Sequence, residues 1–170
     1  MKSLYINSGY LDFKINKIAT DLSEDKQNIS IDIQVNEGSE YKVGNIKFSG
    51  DLLNQSIDDL NGLLTITEGE VFKRKKVIES IQAVTDLFAD QGYAFAKADP
   101  FTKKNTKTHI IDLDISISLN KKVYINRITI VGNTRTQDEV IRREIGINEG
   151  GLYSNTELDE SIRKIKRLGF

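Results

Sequence analysis

Two stretches of the chain alternate strictly between apolar and polar positions. Ile29, Ile31, Ile33 and Val35 are separated by Ser30, Asp32 and Gln34, and Ile111, Leu113, Ile115, Ile117 and Leu119 by Asp112, Asp114, Ser116 and Ser118. A period of two is a strand with one buried face. A weaker strand precedes each, over residues 11–19 and 94–101, and a polar loop joins each pair, over 23–28 and 103–108. Both pairs therefore read as β-hairpins. A further short strand follows each hairpin, over 42–49 and 123–131, closing at Gly50 or Gly132.

The period then becomes helical. Leu60, Leu64 and Ile66 recur as Ile141, Ile145 and Ile147, an offset of 81. Val77, Ile81, Val84 and Leu87 recur at the same offset as Leu158, Ile162, Ile165 and Leu168, a spacing that fills one helical face. Thr136 with Glu139 predicts a capping box at the start of the later first helix, and Ser56 with Asp59 a weaker one at the earlier. Ser154 with Glu157 caps the later second helix, where the earlier copy has Phe72-Lys73 instead. Short signatures repeat as well. Asn7-Ser8-Gly9-Tyr10 returns as Asp90-Gln91-Gly92-Tyr93 and again as Arg167-Leu168-Gly169-Phe170, Glu40-Tyr41-Lys42-Val43 as Lys122-Val123-Tyr124-Ile125, and Glu68-Gly69 as Glu149-Gly150. Between Leu168 and Gly169 the offset drops from 81 to 77, so the later second helix is four residues shorter.

A period of about eighty residues is one small domain used in series. Each unit runs strand, helix, helix, strand, strand, which predicts an α+β fold with two helices on one face of a three-stranded mixed sheet. The phase divides the chain into the second half of one unit (1–39), a complete unit (40–121) and the first half of a third (122–170).

Composition narrows the function. Of 170 residues, 38% are hydrophobic and 29% charged, an ordinary globular balance. A formal charge of −1 gives no overall attraction to nucleic acid. There is no cysteine for a disulfide or thiolate site, and a single proline argues against disordered linkers. Apolar runs such as Ile110-Ile111 are far too short to span a bilayer. Met1-Lys2-Ser3 leads into no signal-peptide core. Met1 is read as the artificial start of a fragment, with any signal or anchor outside it.

Enzyme chemistry finds little support. His109 is the only histidine and stands at the start of a strand, without the positioned partner that general acid–base catalysis requires. Asp112 and Asp114 share a strand face that alternation assigns to solvent. No phosphate-binding glycine loop is present. Lys73-Arg74-Lys75-Lys76 reads as a solvated helix face, and Arg163, Lys164, Lys166 and Arg167 flank an apolar stripe. No catalytic residue, metal or cofactor is expected.

Several residues in order carry a resemblance: Tyr41 opening a strand, Gly92-Tyr93-Ala94 closing a helix, and Gly132-Asn133 after the next strand. Val140-Ile141-Arg142-Arg143-Glu144, Glu149-Gly150 and Arg167-Leu168-Gly169-Phe170 complete it. Together they resemble the POTRA domains of Gram-negative outer-membrane assembly factors, over the third to fifth domains of the series. The resemblance implies a periplasmic part of an outer-membrane protein, with no cofactor and no nucleic acid. Its partners would be unfolded outer-membrane β-barrel proteins and lipoprotein subunits of the assembly complex, and it would meet the membrane only through a C-terminal barrel absent from this chain. In the family the second strand is the free edge, which points to Ala94, Phe95, Ala96, Lys97, Ala98 and Asp99 as a place for an added client strand. Two readings of Ala94, Ala96 and Ala98 stay open: small residues that admit another chain, or residues packed under the helices. The family also implies Arg142, Arg143 and Glu144 as a docking face for an accessory subunit; an ordinary exposed helix face is the alternative. The POTRA region of a secretion or translocation pore is a competing identity, and a small α+β RNA-binding module a competing class. The phase adds one expectation. Residues 1–39 form a hairpin without helices and 122–170 helices without a hairpin, so the C-terminal half of one copy is expected to complete the N-terminal half of another.

Overall fold

The computed structural model describes residues 2–133 and 136–169. Its elements are α1 (Lys2–Asn7), β1 (Lys14–Leu22), β2 (Ile29–Asn36), β3 (Lys42–Gly50), α2 (Ile57–Gly62), α3 (Arg74–Ala89), β4 (Lys97–Asn105), β5 (Ile110–Ser118), α4 (Asp138–Glu144) and α5 (Asn155–Arg167). The complete repeat is strand, helix, helix, strand, strand, with sheet order β3-β5-β4. The Lys42 N–H donates to the His109 carbonyl and the Asp51 N–H to the Ile117 carbonyl, both at 2.9 Å. The two contacts ascend together, so β3 runs parallel to β5. β4 joins β5 through a tight turn and is antiparallel to it, which makes the sheet mixed.

Compactness divides the chain into two units. One comprises residues 1–47, 65–79 and 100–114, with Phe13, Tyr41, Val43, Ile66, Phe72, Val77, Ile111 and Leu113 buried. The other comprises 48–64, 80–99 and 115–170, with Leu60, Val84, Phe88, Ala96, Ala98, Ile115, Ile117 and Ile141 buried. β3, α3, β4 and β5 contribute residues to both.

β1 and β2 pair antiparallel as a separate two-stranded sheet. A register shift between Ile15 and Lys17 leaves Asn16 without a partner, and this bulge restores a common face. Ile15, Ile18, Thr20 and Leu22 thus lie opposite Val35, Ile33, Ile31 and Ile29.

Several expectations are corrected. β1 and β4 each begin and end at least three residues later than the alternation suggested. The start of β4 moves because the Ala96 N–H donates to the Tyr93 carbonyl, closing a turn over residues expected to be extended. No strand forms over 123–131: only Tyr124 bridges, to Leu152, because among the described residues no second strand lies alongside to complete a ladder. Residues 1–39 are not helix-free, since α1 precedes the hairpin. The capping box at Thr136 does not form. The α4 cap is Gln137, without a side-chain bond, and the Thr136 carbonyl instead accepts from Asn133 Nδ2. The box at Ser56 and Asp59 does form, and Ser154 caps α5 by accepting from the Glu157 N–H. Phe170 lies outside the described residues.

The repeat is physical as well as textual. The Tyr41 N–H donates to Gly9 O at 2.9 Å, and the Val123 N–H to Gly92 O at 2.8 Å. The Phe72 N–H then donates to Tyr41 O, and the Tyr153 N–H to Val123 O, both at 2.9 Å. Gly9 and Gly92 adopt φ of +91° and +94°. A Cβ there would stand 2.6 Å from Val71 Cγ1 or 2.7 Å from Leu152 Cδ2. Both conformation and space therefore require glycine at these two turns.

Candidate functional site

Several of the chemistry-bearing side chains take part in local structure. Asp112 accepts the Asn45 N–H at 2.9 Å. His109 sits in the turn before β5 with φ of +54°, its ring edge-on to Tyr41. Lys76 pairs with Glu70 at 2.8 Å, and Lys75 reaches Glu79 at 3.7 Å. Among the described residues no cluster of three or more His, Cys, Asp or Glu could hold a metal.

Three surfaces stand out. The first is the outer edge of β4. β5 occupies the centre of its sheet, so β4 has one strand neighbour. Pro100, inside β4, lacks an N–H and suits an edge position. Of the six positions singled out in sequence, Lys97, Ala98 and Asp99 lie in β4, while Ala94, Phe95 and Ala96 lie before it. Ala96 and Ala98 are buried and Ala94 is half-buried, so these small side chains serve the packed face. Lys97, Asp99 and every residue from 100 to 105 are exposed, with Phe101 at 63%. On the inner side of β4, across the sheet face, Phe101, Thr102 and Lys103 line a shallow depression with Asn45 and Lys47 of β3 and Asp112 of β5. The opposite edge differs: at its start β3 is covered, since Lys42 bridges Val71 and the Val43 N–H donates to Glu70 O.

The second surface is α4. Arg142 Nε donates to Asp138 Oδ2 at 2.6 Å, and Nη2 to the Ile128 carbonyl at 3.3 Å. The Asp138 carboxylate raises the Arg142 pKa further. Arg142 is thereby held against its own helix and the 128 backbone, Arg143 is exposed, and Glu144 is half-buried. Arg142, too, is exposed, its side chain at 46%.

The third is the apolar face of the first hairpin. Ile18, Leu22, Ile29, Ile31 and Ile33 are 58, 57, 63, 56 and 40% exposed. Sequence alternation located Ile29, Ile31 and Ile33, while Ile18 breaks the parity of the strand expected over 11–19 and Leu22 lies beyond it. What it did not show was Asp12, which accepts from the Tyr41 hydroxyl and from Lys104 Nζ, both at 2.7 Å. Those partners are 29 and 92 residues away, beyond the reach of any local pattern.

Comparison with known proteins agrees with the resemblance read from the sequence. The family model POTRA, described as "Surface antigen variable number repeat", matches residues 41–118 and 123–170. The outer membrane protein assembly factor BamA of Neisseria meningitidis serogroup B is 31% identical over 166 residues, covering 98% of this chain and 21% of that protein. BamA of Buchnera aphidicola is 33% identical over 168 residues, covering 97% of this chain and 26% of that protein. The chain thus spans about a quarter or less of the curated relatives it matches. The crystal structure of Haemophilus influenzae BamA POTRA3-5 superposes with a TM-score of 0.81 at 22% identity, over 99% of this chain and 66% of that one, a likeness of fold. Haemophilus ducreyi BamA lacking POTRA domains 1–3 gives a TM-score of 0.63 at 26% identity, over 76% of this chain and 24% of that one. With the family model covering more than half its length, the chain belongs to the POTRA family.

Proposed function

We propose that this chain is a periplasmic, non-catalytic protein-interaction stretch of an outer-membrane β-barrel assembly factor. It receives unfolded outer-membrane proteins by strand addition at β4. The observation that carries this reading is the contrast between edges: the start of β3 is covered by the 68–71 turn, while β4 has one strand neighbour and an exposed run from 99 to 105. Strand addition uses main-chain hydrogen bonds, so it accepts many client sequences. The test is an NMR titration with an unfolded β-barrel peptide. Shifts concentrated on Lys97–Asn105 support the reading; shifts elsewhere, or none, overturn it.

Accessory-subunit docking on α4 would use the exposed Arg142 and Arg143 together with Glu144, Arg142 being paired with Asp138 in a surface ion pair. Arg142→Glu and Arg143→Glu should each weaken capture of a lipoprotein subunit, and capture unchanged in both variants would defeat the docking reading. A second reading concerns self-association and is favoured by the exposed hairpin face. In a solution of this 170-residue chain, α4 and α5 of one copy cover β1 and β2 of another. Sedimentation should show a concentration-dependent dimer that Ile31→Lys abolishes, and a monomer at all concentrations would defeat it.

A further inference from the structure

We propose that the residue just before each Gln/Ser-Gly-Tyr turn, Asn7 or Asp90, is a positioning residue that clasps one repeat to the next, and that the Asp90 clasp is the tighter. This inference stands apart from the client-binding reading.

Asn7 ends α1, and its Oδ1 accepts the Lys75 N–H at 3.1 Å. Asp90 follows α3, and its Oδ1 accepts the Thr156 N–H at 2.9 Å. Lys75 and Thr156 are each the second residue of their helix. An amide there has no acceptor within the helix. The two bonds are equivalent, since Asn7 and Asp90 match at an offset of 83 and Lys75 and Thr156 at 81. In each case the donor helix lies one repeat further along the chain. The acceptor is two residues before the glycine whose carbonyl takes the Tyr41 or Val123 N–H. The same joint is therefore built twice, from a side-chain cap, a glycine carbonyl and a left-handed glycine.

The two joints differ in charge and in number of bonds. Asn7 offers a neutral amide oxygen. Asp90 also accepts from Ser154 Oγ at 2.9 Å and Thr156 Oγ1 at 2.7 Å, and nearby Asp86 accepts from Asn155 Nδ2 at 2.8 Å. Charge-assisted bonds are shorter and roughly twice as strong as neutral ones. A carboxylate at a helix N-terminus also meets the positive end of the helix dipole. Ser154 is at once the cap of α5 and a donor to Asp90, so the clasp and the cap reinforce each other.

Amide hydrogen exchange read residue by residue tests the proposal, because each clasp has its own reporter. Asp90→Ala should speed exchange at Thr156 by about tenfold or more and leave Lys75 unchanged. Asn7→Ala should act on Lys75 alone, and by less. Asp90→Asn, which keeps the shape and one acceptor, should fall between wild type and Asp90→Ala at Thr156. Asn7→Asp should slow exchange at Lys75. Unchanged exchange at Thr156 in both Asp90 variants would overturn the proposal. So would an equal rise at both reporters, which would indicate general loosening and no clasp.

Discussion

The chain contains the same hairpin twice, and the two copies have opposite surroundings. Ile29, Ile31, Ile33 and Val35 of β2 correspond to Ile111, Leu113, Ile115 and Ile117 of β5 at an offset of 82. The first set is 63, 56, 40 and 37% exposed; the second is 1, 1, 1 and 2% exposed. Alternation is equally clean in both, so it specifies the strand and its apolar face but not burial. Among the described residues, β5 is the central strand of a three-stranded sheet, whereas β2 pairs with β1 alone. An apolar face left in water contributes nothing through the hydrophobic effect, and a lone two-stranded hairpin is marginal.

The largest expected effect tests that contrast directly. Leu113→Ala should cost about 3 kcal/mol of stability, through lost transfer energy and the cavity it leaves. Its counterpart Ile31→Ala should change stability by no more than about 0.5 kcal/mol, as an exposed site does. Urea denaturation at low protein concentration measures both. If Ile31→Ala proves as costly as Leu113→Ala, the first hairpin is covered in solution, and the contrast fails in favour of exchange between copies.

The hairpins also show what the sequence reveals and where it stops. β5 was legible because every second residue is branched and apolar. β1 was misplaced because Leu11, Phe13 and Ile15 keep one parity while Ile18 breaks it, and only the bulge at Asn16 reconciles them. The early part of the predicted client edge was lost to the turn closed by Tyr93, whose geometry Ala94 and Ala96 do not advertise. The strand expected over 123–131 has a suitable pattern but no neighbour, and a strand is defined by its neighbour. The clasps at Asn7 and Asp90 were invisible because each acceptor stands 66 or 68 residues from the amide it caps.

A middle-sized effect extends the comparison to the first helix of each set. Ser56 and Asp59 form a complete capping box on α2, while Thr136 does not cap α4. Ser56→Ala should therefore cost about 1 kcal/mol, and Thr136→Ala close to zero, by thermal or urea melting. Equal costs would mean that the later helix is capped in solution and that the two repeats are more alike than their structures.

The smallest effect concerns Asp12, which ties the approach to the exposed hairpin to Tyr41 and Lys104. The Lys104 ammonium and then the Tyr41 hydroxyl hold its pKa below the usual value against the opposing pull of burial, and Lys14 adds to the lowering. Its side chain and that of Lys104 are each 38% exposed, so solvent screens much of the interaction. Asp12→Asn should cost no more than about 1 kcal/mol near neutral pH. A lowered carboxylate pKa contributes stability that is fully present above the unfolded value of about 3.9 and is lost as pH falls through the folded value. The gap between wild type and Asp12→Asn should thus be constant from pH 7 to 5, shrink below about pH 4, and narrow with added salt at neutral pH. Urea midpoints measured across this range decide it. A gap that persists or widens in acid would show that Asp12 acts through packing, and that the exposed hairpin is not held to its neighbours by this charge.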